Sequence, residues 1–141
     1  MRRAHRVPLS RQAVAILKGV NLITGLGRFV FPSVRTTQQP MSENTLNAAL
    51  RRLGYSKEEM TAHGFRSSAS TLLNESGEWH ADAIERQLAH VERDDVRRAY
   101  ARGEHWEQRV QMMQRWADQL DHLKLTGQVA PVGHKLSVVA A

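Results

Sequence analysis

A histidine and an arginine stand three residues apart in the segment TAHGFRSSAST (residues 61–71), at the start of an apolar stretch. Residues with this spacing share one face of a helix, so His63 and Arg66 are predicted to point the same way. The exposed N–H groups and the positive dipole of a first helical turn would add to their attraction for an anion such as a phosphate. For the pair alone, a surface histidine and an arginine lying along the helix are the more common explanation.

Positive charge is concentrated in one part of the chain. Seven Lys or Arg residues and no acid precede Glu43, whereas 13 basic and 14 acidic residues follow, for a net charge of +6. Such a concentration favours binding to a polyanion, and nucleic acid is the first candidate. A basic segment that only aids solubility is the alternative.

Composition bounds the class of protein. A chain of 141 residues, 41% of them hydrophobic, can form one domain with a core. The absence of cysteine excludes disulfides and thiolate metal sites and suits the cytoplasm. No apolar run is long enough for a membrane span, so a soluble, intracellular protein is expected. The seven histidines are scattered without a known metal-ligand spacing, and no metal site is predicted.

Apolar periodicity predicts a mainly α fold, with a short strand or hairpin remnant at the N-terminus. The strand is expected over residues 5–10, and FVFPS (residues 29–33) reads either as a buried strand or as a packed connector. Helices are predicted over residues 11–21, 43–53, 64–75, 80–91, 95–103 and 106–125. An apolar stripe is expected on the last helix at Trp106, Val110, Met113, Ala117 and Leu120. Ser42 is predicted to cap the second helix, and Ser56 with Glu59 forms a capping box.

Four polar residues fall near predicted helix ends: His63, Arg66, His90 and Tyr100. The segments HGFRSSASTLLNESG, IERQLAHVERDDVRRAYAR and HRVPLSRQAVAIL resemble the C-terminal part of the catalytic domain of tyrosine recombinases, in particular prophage-type integrases. The order H-x-x-R, L-A-H and then a tyrosine is specific, although each piece alone is weak. The resemblance implies a partial, N-terminally truncated catalytic domain over residues 1–125 and a flexible tail over residues 126–141.

The resemblance assigns a role to each of these four side chains. Tyr100 is the nucleophile, Arg66 binds the phosphate, His63 is the acid/base partner and His90 donates a hydrogen bond to the phosphate. Arginine suits its role because it binds two phosphate oxygens at once. A tyrosine hydroxyl with a pKa of about 10 needs help to lose its proton. The implied reaction cuts and rejoins DNA through a 3′-phosphotyrosyl link, without ATP, metal or another cofactor.

Partners follow from the same resemblance. The expected partner is double-stranded DNA, with self-association into a tetrameric synapse. Four basic residues are expected near the DNA backbone: Arg2, Arg3, Arg6 and Arg11.

The chain also departs from the family pattern. An earlier arginine and a hairpin lysine are expected just before the segment at residue 5, and neither is present. Lys18 lies on the following predicted helix and does not match the lysine. We therefore expect a fragment that binds DNA weakly, with strong salt dependence, and that is inactive or nearly so in recombination.

Two other classes of function remain open from the sequence. A non-catalytic DNA-binding module would explain the basic segment but not the order of the four residues. A protein-interaction module would dock residues 104–123 onto another copy. Taken singly, Tyr100 is more often a core aromatic residue and His90 a capping or core histidine.

Overall fold

The computed structural model describes residues 5–89 and 105–128. Five helices lie in this part of the chain: α1 (Arg11–Thr24), α2 (Asn44–Arg52), α3 (Ala62–Glu75), α4 (Ala81–Gln87) and α5 (Trp106–Thr126). The mainly α prediction is confirmed. Contacts between Cα atoms divide the chain into a first unit, Gln12–Ala69, and a second unit, Met1–Arg11 with Ser70–Ala141. Among the described helices, none combines the length and apolarity needed to cross a membrane.

The strand predicted over residues 5–10 is wrong, because this segment has no regular secondary structure. A strand needs a neighbouring strand to bond with, and within the described residues none lies beside it. Its backbone bonds to side chains of α5 instead. The guanidinium of Arg109 donates to the carbonyl of Arg6. Directly after the segment, the N–H of Arg11, the first residue of α1, donates to Gln114 Oε1 over 3.0 Å.

The core of the second unit joins three helices. Leu73 of α3, Ile84 of α4 and Met112 of α5 are buried together. Three half-buried apolar side chains pack against them: Trp79, Leu88 and Trp116. The periodicity of the sequence therefore predicted these helices because each presents an apolar face to a shared core.

The buried face of α5 differs from the predicted apolar face by a rotation of about 100° around the helix axis, which corresponds to one residue. The buried residues of α5 are Arg109 and Met112, whereas Val110 and Leu120 are 38% and 45% exposed. Arg109 accounts for the difference, since its Nε donates to Gln87 Oε1 over 3.0 Å on the buried side. Of the other residues of the predicted stripe, Met113 and Ala117 are half-buried.

Residues 80–91 form a shorter helix than predicted. α4 ends at Gln87, and Ala89 takes a positive φ of 52° that does not continue a helix. The helix predicted over residues 95–103 lies outside the described residues, as does the predicted tail from residue 129 onward.

In the first unit, the FVFPS segment is a connector and not a buried strand. Pro32 and Pro40 form an isolated antiparallel bridge. The flanking bonds run from Ser33 N–H to the Gln39 carbonyl and from Met41 N–H to the Phe31 carbonyl. Two prolines lack the N–H groups that a longer ladder would use, so the pairing stops at this loop.

α2 begins one residue later than predicted. Glu43 is its N-cap residue and makes no side-chain capping bond, so the Ser42 cap is also wrong. The hydroxyl of Ser42 lies 3.0 Å from that of Thr45 instead.

Replacement of Arg109 by alanine is expected to lower the free energy of unfolding by about 3 kcal/mol, since hydrogen bonds to a charged group contribute roughly 1.5–3 kcal/mol each. The side chain is 2% exposed and bonds to both Gln87 and the Arg6 carbonyl. Urea denaturation measures the change. Lys124→Ala, at an exposed position of the same helix, should stay within about 0.5 kcal/mol of wild type. Equal effects of the two variants would contradict the role given to Arg109.

Candidate functional site

His63 and Arg66 lie in the first turns of α3, which begins two residues before the predicted start at residue 64. Thr61 precedes the helix, and its Oγ1 accepts the N–H of Gly64 over 3.0 Å as a capping residue does. The His63 side chain is exposed and Arg66 is half-buried. Their three-residue spacing places both on one side of the helix, while their catalytic roles stay predictions.

The start of α3 is fixed by two residues of α2. The N–H of Ala62 donates to Asn47 Oδ1 over 2.9 Å, and the guanidinium of Arg51 donates to the Met60 carbonyl. Arg51 Nε also donates to the Asn47 carbonyl over 3.3 Å, which joins the two residues across one turn. This hydrogen-bonded pair therefore sets where α3 begins and where His63 stands.

The predicted attraction of free N–H groups for an anion needs a correction. Two N–H groups of the first turn, those of Ala62 and Gly64, already have protein acceptors. An anion at this end would therefore depend on the side chains of His63 and Arg66 and on the helix dipole. The backbone contributes fewer donors there than the sequence suggested.

Gly64 lets the chain pack closely at this point. A Cβ atom on Gly64 would lie 3.1 Å from Met60 Sδ and 3.4 Å from Thr61 Oγ1. The contact with Met60 Sδ would be tighter than most Cβ atoms make, so a glycine suits a helix that starts directly against its own preceding turn.

The turn that leads into α3 contains the predicted capping box. Ser56 N–H donates to Glu59 Oε2 over 2.7 Å, and Glu59 N–H donates to Ser56 Oγ over 3.3 Å. These bonds confirm the prediction. The Ser56 N–H and then its hydroxyl hold the pKa of Glu59 below its ordinary value of 4.5, and the charge of Arg51 acts in the same direction.

The structure describes only some of the other predicted site residues. His90 and Tyr100 lie outside the described residues, as do Arg2 and Arg3. The side chain of Arg6 is exposed. Arg11 lies 3.6 Å from Asp118, so part of its charge is offset within the chain. In the described residues, the structure therefore places only His63 and Arg66 of the catalytic set.

The fold also gathers three residues that the sequence analysis did not single out. His80, Asp82 and His105 each offer a ligand atom, and these atoms lie within 4.8 Å of one another. The rings of His80 and His105 stack with centroids 5.3 Å apart and an interplanar angle of 15°. No spacing rule could have found this cluster, because 25 residues separate the two histidines.

The chain is similar to known integrases. Residues 1–105 match the Phage integrase family. The chain is 50% identical over 123 residues to the integrase of Enterobacteria phage P4, covering 86% of this chain and 28% of that protein.

The chain is also similar to proteins of Escherichia coli (strain K12). Putative protein IntB is 50% identical over 123 residues, or 86% of this chain and 31% of the relative. Prophage integrase IntA is 50% identical over 118 residues, or 84% of this chain and 28% of the relative. The chain thus spans less than a third of the length of these relatives. No solved structure shows a significant match.

Acid is expected to weaken the turn before α3 through Glu59. Because folding lowers its pKa, Glu59 contributes stability that is complete above 4.5 and is lost as the pH falls through the lowered value. Glu59→Gln keeps a side chain able to cap Ser56 but removes the titration. Urea denaturation between pH 6 and pH 3 should therefore show a steeper loss of stability for the wild type than for Glu59→Gln.

Glu58→Gln is the matched control for that comparison. Glu58 is the adjacent carboxylate and lies 3.6 Å from Lys57. Its replacement leaves the Ser56–Glu59 bonds in place, so its curve should follow that of the wild type. Parallel curves for the wild type and Glu59→Gln would show that the capping box does not carry this pH dependence.

Proposed function

Because this chain belongs to the phage integrase family, we propose that it contributes to DNA integration and site-specific recombination, with little or no recombination by the chain alone. The reaction is strand cleavage and rejoining through a 3′-phosphotyrosyl intermediate. His63, Arg66, His90 and Tyr100 are the proposed catalytic residues. The integrase names of its relatives support this activity. The observation that carries the proposal is that hydrogen bonds fix the first turn of α3. This turn places His63 and Arg66 on one side of the helix.

Arg66 is the proposed phosphate-binding group. The charge on a phosphodiester grows as a nucleophile adds, and a guanidinium can donate to two of its oxygens. Because Arg66 is half-buried, solvent screens its charge less than at a fully exposed position. The positive end of the α3 dipole acts in the same direction.

The proton transfers define the other roles. The phenol oxygen of Tyr100 bonds to phosphorus, and the bond to the 5′-oxygen breaks. His63 is the proposed acid/base group for the Tyr100 proton, and His90 donates a hydrogen bond to a phosphate oxygen. The 5′-oxygen leaves as a hydroxyl on taking a proton from water, and attack by a 5′-hydroxyl reverses the reaction. The ester bond is kept throughout, so no ATP is required.

The anchoring of α3 supports the roles proposed for these side chains. Asn47 and Arg51 bond to the backbone on either side of Thr61, and Thr61 caps the helix. His63 follows within two residues, so its backbone is held before any substrate arrives. Donors that are already in position need no reorganisation when charge develops, which is how electrostatic catalysis gains its effect.

The proposed partners are double-stranded DNA and further copies of the chain. The basic first 42 residues, with Arg2, Arg3, Arg6 and Arg11 among them, support contact with the DNA backbone. Exposed apolar side chains on α5, such as Val110, Leu120 and Leu123, support self-association on DNA, as in a tetrameric synapse. The site of action would be the cytoplasm.

Arg66→Gln is expected to reduce the salt dependence of DNA binding. Each phosphate contact contributes about 0.9 to the slope of log affinity against log salt on duplex DNA. The slope for Arg66→Gln should therefore fall by about 0.9, measured by fluorescence anisotropy between 50 and 200 mM salt. Lys124→Gln, on α5, should keep the wild-type slope. A wild-type slope in Arg66→Gln would remove that residue from the phosphate site.

Tyr100→Phe is expected to abolish covalent attachment to DNA. A suitable substrate is a randomised duplex library in which sulfur replaces the bridging 5′-oxygen, because a thiolate leaves without a proton donor. The assay then needs no general acid from the chain. The wild type should form an adduct that survives denaturing electrophoresis, while Tyr100→Phe should form none.

Tyr55→Phe provides the matched control, since Tyr55 is the other of the two tyrosines in the chain. It should form the adduct at the wild-type level. Attachment through Tyr55, or an adduct that persists in Tyr100→Phe, would contradict the proposed nucleophile. Absence of any adduct with the sulfur-bridged library would contradict cleavage by this chain.

A further inference from the structure

Three side chains with metal-binding atoms converge where α4 and α5 begin. His80 is the N-cap residue of α4, Asp82 lies in its first turn, and His105 is the N-cap residue of α5. One nitrogen or oxygen from each lies within 4.8 Å of the other two. From this geometry we propose that His80, Asp82 and His105 form a binding site for a divalent transition-metal ion of the zinc type.

The distances are close to those of a bound ion. Ligands about 2.0–2.1 Å from a tetrahedral zinc ion lie roughly 3.3 Å from each other. His80 Nδ1 and Asp82 Oδ2 are 3.7 Å apart, so a small side-chain rotation brings them to that separation. Two imidazoles and one carboxylate leave a fourth position for water, as in other zinc sites with three protein ligands.

The ligand atoms have the electron pairs that a metal needs. His80 Nδ1 accepts the backbone N–H of Asp82 over 3.2 Å, so this nitrogen presents a lone pair to the first turn of α4, where Asp82 lies. That hydrogen bond is long, and a coordinate bond can replace it. His105 makes no side-chain capping bond at the start of α5. Its imidazole is therefore not used to hold its own helix.

The helices that carry the ligands are held together by the core. Ile84 of α4 and Met112 of α5 are both fully buried and belong to one apolar cluster. His80 lies four residues before Ile84, and His105 lies seven residues before Met112. The separation of the two imidazoles thus depends on packing that exists without any ion, which lowers the cost of forming the site.

The charges around the cluster do not oppose the binding of a cation. The amino end of each helix carries about half a positive charge, which disfavours a cation. The full negative charge of Asp82 offsets the two helix ends together. Coordination by the two imidazoles then decides the affinity. Nitrogen ligands favour zinc, cobalt and nickel over magnesium and calcium, which take oxygen ligands.

The test is titration of the full chain with Zn²⁺ by isothermal calorimetry. We expect one saturable Zn²⁺ site and no binding of Mg²⁺ at the same concentrations. His80→Gln, Asp82→Asn and His105→Asn should each weaken Zn²⁺ binding by about tenfold or more. Asparagine is chosen at residue 105 because it tolerates the positive φ of 44° found there.

His122→Gln is the matched control, because His122 is a half-buried histidine near the other end of α5. It should bind Zn²⁺ as the wild type does. Circular dichroism without metal checks that each variant keeps its helices. Absence of a saturable Zn²⁺ site in the wild type would overturn the proposal. Wild-type affinity in the three ligand variants would also overturn it, since other residues would then hold the ion.

A measurement on the unmodified chain keeps the test decisive if a variant fails to fold. Nitrogen-detected NMR of the imidazoles should show Zn²⁺-dependent shifts confined to His80 and His105. Co²⁺ should give the visible absorption of a four-coordinate site at the same stoichiometry. Shifts at other histidines, with none at these two, would place the ion elsewhere and contradict the assignment.

Discussion

Guanidinium groups bonded to backbone carbonyls hold the irregular segments of this protein to its helices. Arg109 donates to the carbonyl of Arg6, and Arg51 donates to the carbonyl of Met60. Neither segment has a neighbouring strand in the described residues to satisfy its backbone. A carbonyl withdrawn from water must find a donor, and a charged donor forms the stronger bond. Each arginine thus fixes a stretch of chain that secondary structure does not fix.

The second of these bonds has a consequence for chemistry. Arg51 and Asn47 fix the residues on either side of Thr61, and α3 starts immediately afterwards. The end of a helix frays unless its backbone groups are capped or hydrogen-bonded. A side chain at that end has a fixed position only if the helix end is fixed. His63 therefore depends on α2 for its position, although no residue of α2 belongs to the proposed catalytic set.

Several basic residues of this chain interact with groups of the chain itself. Arg109 is buried among acceptors, Arg11 lies beside Asp118, and Arg115 lies 3.7 Å from Glu78. Such charges act within the chain and contribute less to an external anion than their number suggests. The positive charge of the sequence therefore overstates the charge available to DNA. What each guanidinium binds depends on its position in the structure and not on the total positive charge of the chain.

The sequence by itself determined the features that depend on near neighbours. The five described helices follow apolar periodicity, and the bonds between Ser56 and Glu59 follow from a spacing of three residues. The helical start at His63 and Arg66 was predictable for the same reason. The order of polar residues carried the family resemblance, which the match over residues 1–105 confirmed.

Only the tertiary structure decided features that depend on distant residues. The segment at residues 5–10 alternates like a strand but bonds to α5, and Arg109 is buried on α5 one residue away from the predicted apolar position Val110. His80 and His105 meet because the core packs α4 against α5. Periodicity reports which residues favour burial, whereas hydrogen-bond acceptors and packing partners far along the chain decide which are buried.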